Sequence, residues 1–280
     1  MKIYSIETGF FKLDGGAMFG VVPKSLWSRT NPADDKNLCS WAMRLLLIED
    51  GKQLILVDTG IGDKQSEKFF SHYYLHGDAT LDKSLAKHGF HRDDITDVFL
   101  THLHFDHVGG AIVREGEKLV PAFKNAHYWS NKQHWEWAVN PNQREKASFL
   151  KENILPIQES GQLKFIEDKS SGILNSNISI RFAFGHTDAM MLPQISYKGK
   201  TILYISDLLP SVGHIPLPYV MAYDMFPLKT LEEREQYWKE IVDNEYIVFL
   251  EHDSVHECCT MQMTEKGIRL KDTFTLESAF

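Results

Sequence analysis

Apolar positions along this chain come in short blocks broken by Gly, Pro and charged residues, a pattern that predicts a strand-rich fold with inserted helices. Blocks dense in β-branched and aromatic residues predict strands over Trp41 to Ile48, Gln53 to Val57, Asp97 to Thr101, Ile178 to Phe184, Ile195 to Tyr197, Thr201 to Ser206 and Tyr246 to Leu250. Glu49-Asp50-Gly51-Lys52 and Tyr197-Lys198-Gly199-Lys200 each set a glycine between two apolar runs and predict hairpins. A helical period takes over at Thr230 to Asn244, where Leu231, Trp238, Ile241 and Val242 share a face and Thr230 with Glu233 reads as a capping box. Helical stretches are also predicted at Leu81 to His88 and within Asn131 to Asn153, a region in which Trp129, Trp135 and Trp137 cluster as helix packing, a lid or a dimer patch. No repeat, low-complexity segment or Gly/Ser linker divides the chain, so residues 1–280 read as a single domain.

Composition narrows the class. With 43% apolar and 24% charged residues among 280, the chain can bury a core and is not disordered. Its 30 basic and 38 acidic residues leave a net charge of −8, which disfavours nucleic acid as the main partner. The longest apolar runs fall far short of the roughly 18 residues of a membrane span. An acid at Glu7 precedes any apolar signal region, and Cys39, Cys258 and Cys259 are too few for a disulfide framework, so the expected compartment is the cytoplasm. The 13 histidines are the departure from ordinary composition, and their placement carries the chemistry.

The segment His102-Leu103-His104-Phe105-Asp106-His107-Val108-Gly109-Gly110 sets three imidazoles and a carboxylate at the end of an apolar strand. Neither helix nor strand periodicity brings all four together, so they converge only from a loop leaving that strand. Asp58, His186, Asp207 and His252 each follow a predicted strand as well, which puts every candidate ligand where strands end and loops begin. Imidazoles with carboxylates suit a bound metal ion. His72, His76, His88, His91, His127, His134 and His256 show no ligand spacing with this motif and read as surface or core residues.

These motifs, Val57-Asp58-Thr59-Gly60, His102-x-His104-x-Asp106-His107, Gly185-His186-Thr187, Ser206-Asp207 and Glu251-His252, resemble in kind and order those of the metallo-β-lactamase superfamily. The resemblance implies an α+β chain, a four-layer αβ/βα sandwich, with two divalent metal ions. It implies that His102, His104 and His186 hold one ion, that Asp106, His107 and His252 hold the other, and that Asp207 bridges them. Asp58 would accept from a ligand imidazole and fix its tautomer. Zinc is the default for such donors, with cobalt, manganese or iron open, and a water shared by two cations becomes a hydroxide nucleophile near neutral pH.

Among the branches, β-lactamases often place Cys where Asp207 stands, flavodiiron oxidoreductases carry Glu in place of His104, and nucleases favour a basic surface. Glyoxalase II enzymes need a C-terminal helical region, for which the stretch after His252 is short. With these set aside, the chain resembles the N-acyl homoserine lactone lactonases and their close relatives, including the methyl-parathion-hydrolase-like enzymes. That resemblance implies lactone opening in quorum quenching, with phosphotriester or aryl-ester hydrolysis as the alternative. The substrate is then a small molecule with an acyl chain, and relatives of this kind are often homodimers. Met18, Phe19 and Val21, on a Gly-flexed loop, are candidate acyl-chain contacts. Lactonases of this group have a Tyr three residues past the bridging Asp, where this chain has Pro210; His214 is the candidate to donate to the substrate carbonyl instead. Asp106 is the candidate proton shuttle.

Overall fold

The computed structural model describes residues 1–166 and 174–280. These fall into two compact units, one built from residues 1–9, 43–72 and 76–166, the other from 10–42, 73–75 and 174–280. A six-stranded sheet runs in the order Lys2–Asp14, Leu38–Asp50, Gln53–Val57, Asp97–Phe99, His127–Ser130, Leu163–Phe165. Its last four strands are parallel neighbours, and parallel pairing requires long crossovers, here carrying the helices Leu81–Lys87, Lys132–Val139 and Lys151–Glu159. The core of this unit packs Leu54, Leu56, Val98, Leu100 and Tyr128 from the sheet against Leu81, Leu85, Trp135, Ile154 and Ile157 from the helices.

The second unit holds a six-stranded sheet ordered Gly267–Phe274, Cys258–Thr264, Ile247–Phe249, Lys200–Tyr204, Met190–Tyr197, Ile178–Ala183. The helix Pro227–Asp243 covers it, burying Tyr237, Trp238 and Ile241 against Leu203, Val248 and Cys259. Each fully buried side chain of that size contributes roughly 1.5–3 kcal/mol. All three cysteines are buried thiols outside any disulfide. No helix among the described residues is long and apolar enough to cross a membrane.

Both expected hairpins form. Tyr197 pairs with Lys200 across a two-residue turn in which Lys198 (φ 47°) and Gly199 (φ 76°) both take the left-handed conformation that the twist of a tight hairpin demands. The expected strand Ile195 to Tyr197 is the end of a longer one, Met190–Tyr197, that Pro193 conceals in the sequence. Pro193 is tolerated because the pairing with Lys200–Tyr204 reaches only as far as Gln194.

The long helix starts a turn earlier than expected, with Pro227 in its first turn, and the Thr230–Glu233 capping box does not form. Glu233 instead accepts from the backbone N–H groups of Phe184 (2.8 Å) and Gly185 (3.0 Å), and so ties the helix to the end of Ile178–Ala183. The stretch from Asn131 to Asn153 is two helices joined by a loop. Of the clustered tryptophans, Trp129 lies half-buried in the strand His127–Ser130 with its indole on Asp97 (2.7 Å), Trp135 is a core residue, and Trp137 packs half-buried against that core.

Candidate metal centre

In the first unit the strand Gln53–Val57 ends at Asp58, held at φ 60° with its N–H on the Phe99 carbonyl of the neighbouring strand (2.8 Å). A non-glycine residue in that conformation is uncommon and tends to mark functional positions. The Asp58 carboxylate accepts from the Thr101 N–H (2.8 Å) and hydroxyl (2.6 Å) and lies 3.1 Å from His107 Nδ1. His107 therefore carries a proton on Nδ1 and presents Nε2, 3.8 Å from Asp106 Oδ2.

The Thr101 hydroxyl, already donating to Asp58, accepts from His102 Nδ1 at 3.1 Å, and His104 Nε2 donates to Glu145 Oε1 at 2.9 Å. These bonds leave His102 Nε2 and His104 Nδ1 as acceptors facing each other at 3.0 Å. Two such acceptors repel unless a cation lies between them, and two imidazoles on one tetrahedral zinc would stand about 3.3 Å apart. The donor set fits a metal ion.

Backbone interlock holds this loop. Thr59 donates from N–H and hydroxyl to the His107 carbonyl (both 2.8 Å), and Gly110 N–H donates to the Gly60 carbonyl (2.9 Å). Lys64, which the sequence reading passed over, is buried with its ammonium on the Gly109 carbonyl, and burial pulls its pKa down to about 8.

In the second unit Ile178–Ala183 and Lys200–Tyr204 are both antiparallel to Met190–Tyr197, and Ile247–Phe249 is parallel to Lys200–Tyr204. All three strands thus run the same way and end at one sheet edge, where His186, Asp207 and His252 follow them. His186 Nδ1 donates to Asp224 Oδ1 (2.8 Å) and His252 Nδ1 to the Ala42 carbonyl (2.8 Å), so both rings present Nε2. Asp207 offers Oδ2 to His186 Nε2 at 3.1 Å and Oδ1 to His252 Nε2 at 2.9 Å. The buried Glu251 carboxylate lies within 4.8 Å of the ligand atoms of Asp207 and His252. Among the described residues, His102, His104, His107, His186, Asp207, Glu251 and His252 are the members of clusters able to hold a metal ion.

A family model described as "Metallo-beta-lactamase superfamily" matches residues 45–252, which include every one of these groups. The chain belongs to the metallo-β-lactamase superfamily. It is accordingly a metal-dependent hydrolase with the α+β sandwich fold of that superfamily. A crystal structure of a probable metal-dependent hydrolase from Staphylococcus aureus is 27% identical with a TM-score of 0.88, covering 99% of this chain and 97% of that one. The dizinc quorum-quenching lactonase AidC is 23% identical with a TM-score of 0.80, covering 98% of this chain and 95% of its own. The hydrolase AbOPH is 21% identical with a TM-score of 0.76, over 96% and 95%. A search of curated protein sequences finds no match.

His214 does not match the donor role expected of it in place of the lactonases' Tyr. It has 0% exposure, and both ring nitrogens bind within the chain: the Ser211 hydroxyl lies 2.9 Å from Nδ1, and Nε2 lies 3.0 Å from the Met18 carbonyl. A carbonyl only accepts, so Nε2 carries the proton and neither nitrogen is left to donate to a substrate. Burial holds its pKa down at about 3, and the ring stacks on Phe19 at 4.2 Å. Phe19 stacks on Trp27 as well (5.2 Å), and Met18 is buried, so neither offers an open acyl-chain wall; Val21, at 94% exposure, is the accessible one of the three.

His214 is a latch between Ser211–Ile215 and Met18. Its neutral form is fully stabilising above about pH 6.5, and that contribution is lost as the pH falls from there toward 3, because the unfolded chain takes up the proton first. Replacing His214 with Gln should lower the melting temperature at pH 7 and flatten the acid limb of metal-free stability, by about 2 kcal/mol between pH 7 and 5. Denaturant titrations of both proteins at several pH values check this.

Sequence reasoning also missed Glu145, Asp224 and Arg234. The Arg234 guanidinium is wholly buried and donates to the carbonyls of Leu208 (2.9 Å), His214 (3.3 Å) and Tyr219 (2.8 Å), holding the loop after Asp207. Its setting, Leu231-Glu232-Glu233-Arg234-Glu235, reads as a solvated helix face.

Proposed function

We propose that this hydrolase opens the lactone ring of N-acyl homoserine lactones at a two-metal centre, acting as a quorum-quenching lactonase. The observation that carries the reading is the pose of Asp207, one oxygen toward each of two imidazole acceptors at 3.1 and 2.9 Å, as expected of a carboxylate shared by two cations. In this reading His102, His104 and His186 hold one ion, Asp106, His107 and His252 the other, and Asp207 both. Zinc is the proposed ion, since the donors are imidazole and carboxylate without thiolate. Bound there, two such ions supply a water acidic enough to act as hydroxide near neutral pH, and a Lewis acid for the carbonyl.

The residues of the chain do the rest. Asp58, Glu145, Asp224 and the Ala42 carbonyl keep the ligand protons on the far ring nitrogens, which holds the near nitrogens aimed and unprotonated. Asp106 takes the proton released as water adds to the lactone carbonyl and returns it to the alkoxide formed when the ring opens, giving an N-acyl homoserine. Val21 would meet the acyl chain. Support for the substrate comes from AidC, whose structure holds the product N-hexanoyl-L-homoserine, and from a quorum-quenching N-acyl homoserine lactone lactonase 21% identical with a TM-score of 0.68, over 90% of this chain and 92% of that one. A single functional domain, a homodimer and a cytoplasmic location complete the proposal.

The test is turnover by protein of measured metal content on homoserine lactones of several chain lengths, beside a phosphotriester and an aryl ester. Lactone opening is expected. Hydrolysis of the triester or aryl ester alone would replace the lactonase reading with the alternative, and inertness toward all three with two ions bound would leave the metal a structural role.

A further inference from the structure

Glu145 has 1% exposure, and three donors converge on its carboxylate. Oε1 accepts from His104 Nε2 (2.9 Å), while Oε2 accepts from the Trp137 indole N–H (2.7 Å) and the Asn142 amide (3.2 Å). The Glu145 N–H returns to Asn142 Oδ1 (3.1 Å), so the turn that carries this side chain is closed by one of its own partners. Trp137 lies on the helix Lys132–Val139, which Asn131 caps by accepting from the His134 N–H (2.8 Å). From the same helix, buried His134 accepts through Nε2 from the N–H of Leu103, the residue between His102 and His104, at 2.9 Å. One helix and the loop after it therefore grip His104 twice, its preceding backbone through His134 and its ring through Glu145.

We propose that Glu145 is a positioning residue for the metal ion held by His104, and that Trp137 orients it. This rests on the two-ion reading above. With Oε1 accepting, the His104 proton stays on Nε2 and Nδ1 is aimed at the ion; with Oε2 tied to Trp137 and Asn142, the carboxylate cannot turn away. The arrangement needs two acceptor oxygens. A glutamine offers only one, so its amide nitrogen must face either the His104 N–H or the Trp137 N–H, donor against donor. Removing the Trp137 donor relieves the shorter of the two contacts on that side, 2.7 Å against 3.2 Å for the Asn142 amide, which makes the role separable from mere packing.

The experiment compares wild type, Glu145→Gln, Trp137→Phe and the double variant, each loaded with zinc and challenged with a graded series of chelator. Retained zinc is counted by elemental analysis and folding is followed by circular dichroism. Glu145→Gln should release one ion at about 10- to 100-fold lower chelator strength than wild type, Trp137→Phe should stay close to wild type, and the double variant should recover part of the loss, the Asn142 amide still facing the glutamine. Wild-type retention in folded Glu145→Gln, or an equal loss in the single and double variants, overturns the proposal. Should Glu145→Gln not fold, Glu145→Asp decides: its carboxylate is one methylene too short for His104, so release of one ion is expected and unchanged retention refutes the role. Wild type that holds fewer than two ions instead sinks the two-ion reading, so the two failures are distinct.

Discussion

Asp207→Asn should leave the protein folded but unable to hold two ions, with the proposed lactone hydrolysis reduced by more than about a thousandfold, since each 1.36 kcal/mol of lost transition-state stabilisation is a factor of ten and a catalytic ion supplies several. The side chain keeps its shape, yet one oxygen becomes an amide nitrogen that faces His186 Nε2 or His252 Nε2 and cannot bind a cation. Both rings are committed by Asp224 and the Ala42 carbonyl to presenting Nε2, so neither can compensate by turning its proton around. Metal counting before and after dialysis, together with kcat, checks the prediction. Two retained ions with near-normal kcat would show that Asp207 is not shared between them.

Gly109→Ala is expected to have the largest effect on folding. A Cβ at Gly109 would stand 2.1 Å from the Ile61 carbonyl oxygen and 2.5 Å from its carbon, and one at neighbouring Gly110 would stand 2.2 Å from the Thr59 oxygen. These are backbone atoms, fixed by the hydrogen bonds from Thr59 to His107 and from Gly110 to Gly60, so no side chain can swing aside. Gly109 has ordinary helical angles (φ −58°), which makes the requirement one of space and not of conformation. A loss of about 3 kcal/mol or more is expected from overpacking against rigid backbone. Urea denaturation of the metal-free protein measures it; a loss below about 1 kcal/mol would mean the two loops separate easily.

The candidate ligands were legible because metal chemistry restricts both residue type and position: His102, His104, Asp106 and His107 crowd one short segment, and the others follow apolar runs. Their partners were not. Glu145 lies 41 residues from His104 in a polar stretch that looks like ordinary loop, and Asp224 lies 38 from His186 in an apolar stretch, Val220-Met221-Ala222-Tyr223-Asp224-Met225-Phe226, with no ligand pattern. Tertiary contact, not local pattern, gives them meaning. His214 shows the opposite error. Its place near Asp207 on a proline-flanked loop suggested catalysis, but only the fold reveals that both ring nitrogens are taken up by Ser211 and Met18. The misread strand at Pro193 and the missed helix start at Pro227 share one cause, since proline acts through the backbone N–H it lacks, and whether that N–H is needed depends on neighbours the sequence does not name.

The three buried cysteines have a consequence for handling the protein. Burial pushes the Cys39 thiol up to about 11 and Cys259 higher still, and the thiolate is the form that reacts. Cys258 and Cys259 are consecutive in one strand, paired opposite Phe249 and Val248, so their side chains leave on opposite faces of the sheet. Native protein is therefore slow to alkylate and slow to oxidise, whereas the opened chain exposes all three thiols together. A thiol-reactive dye becomes a clock for opening, one that needs no substrate.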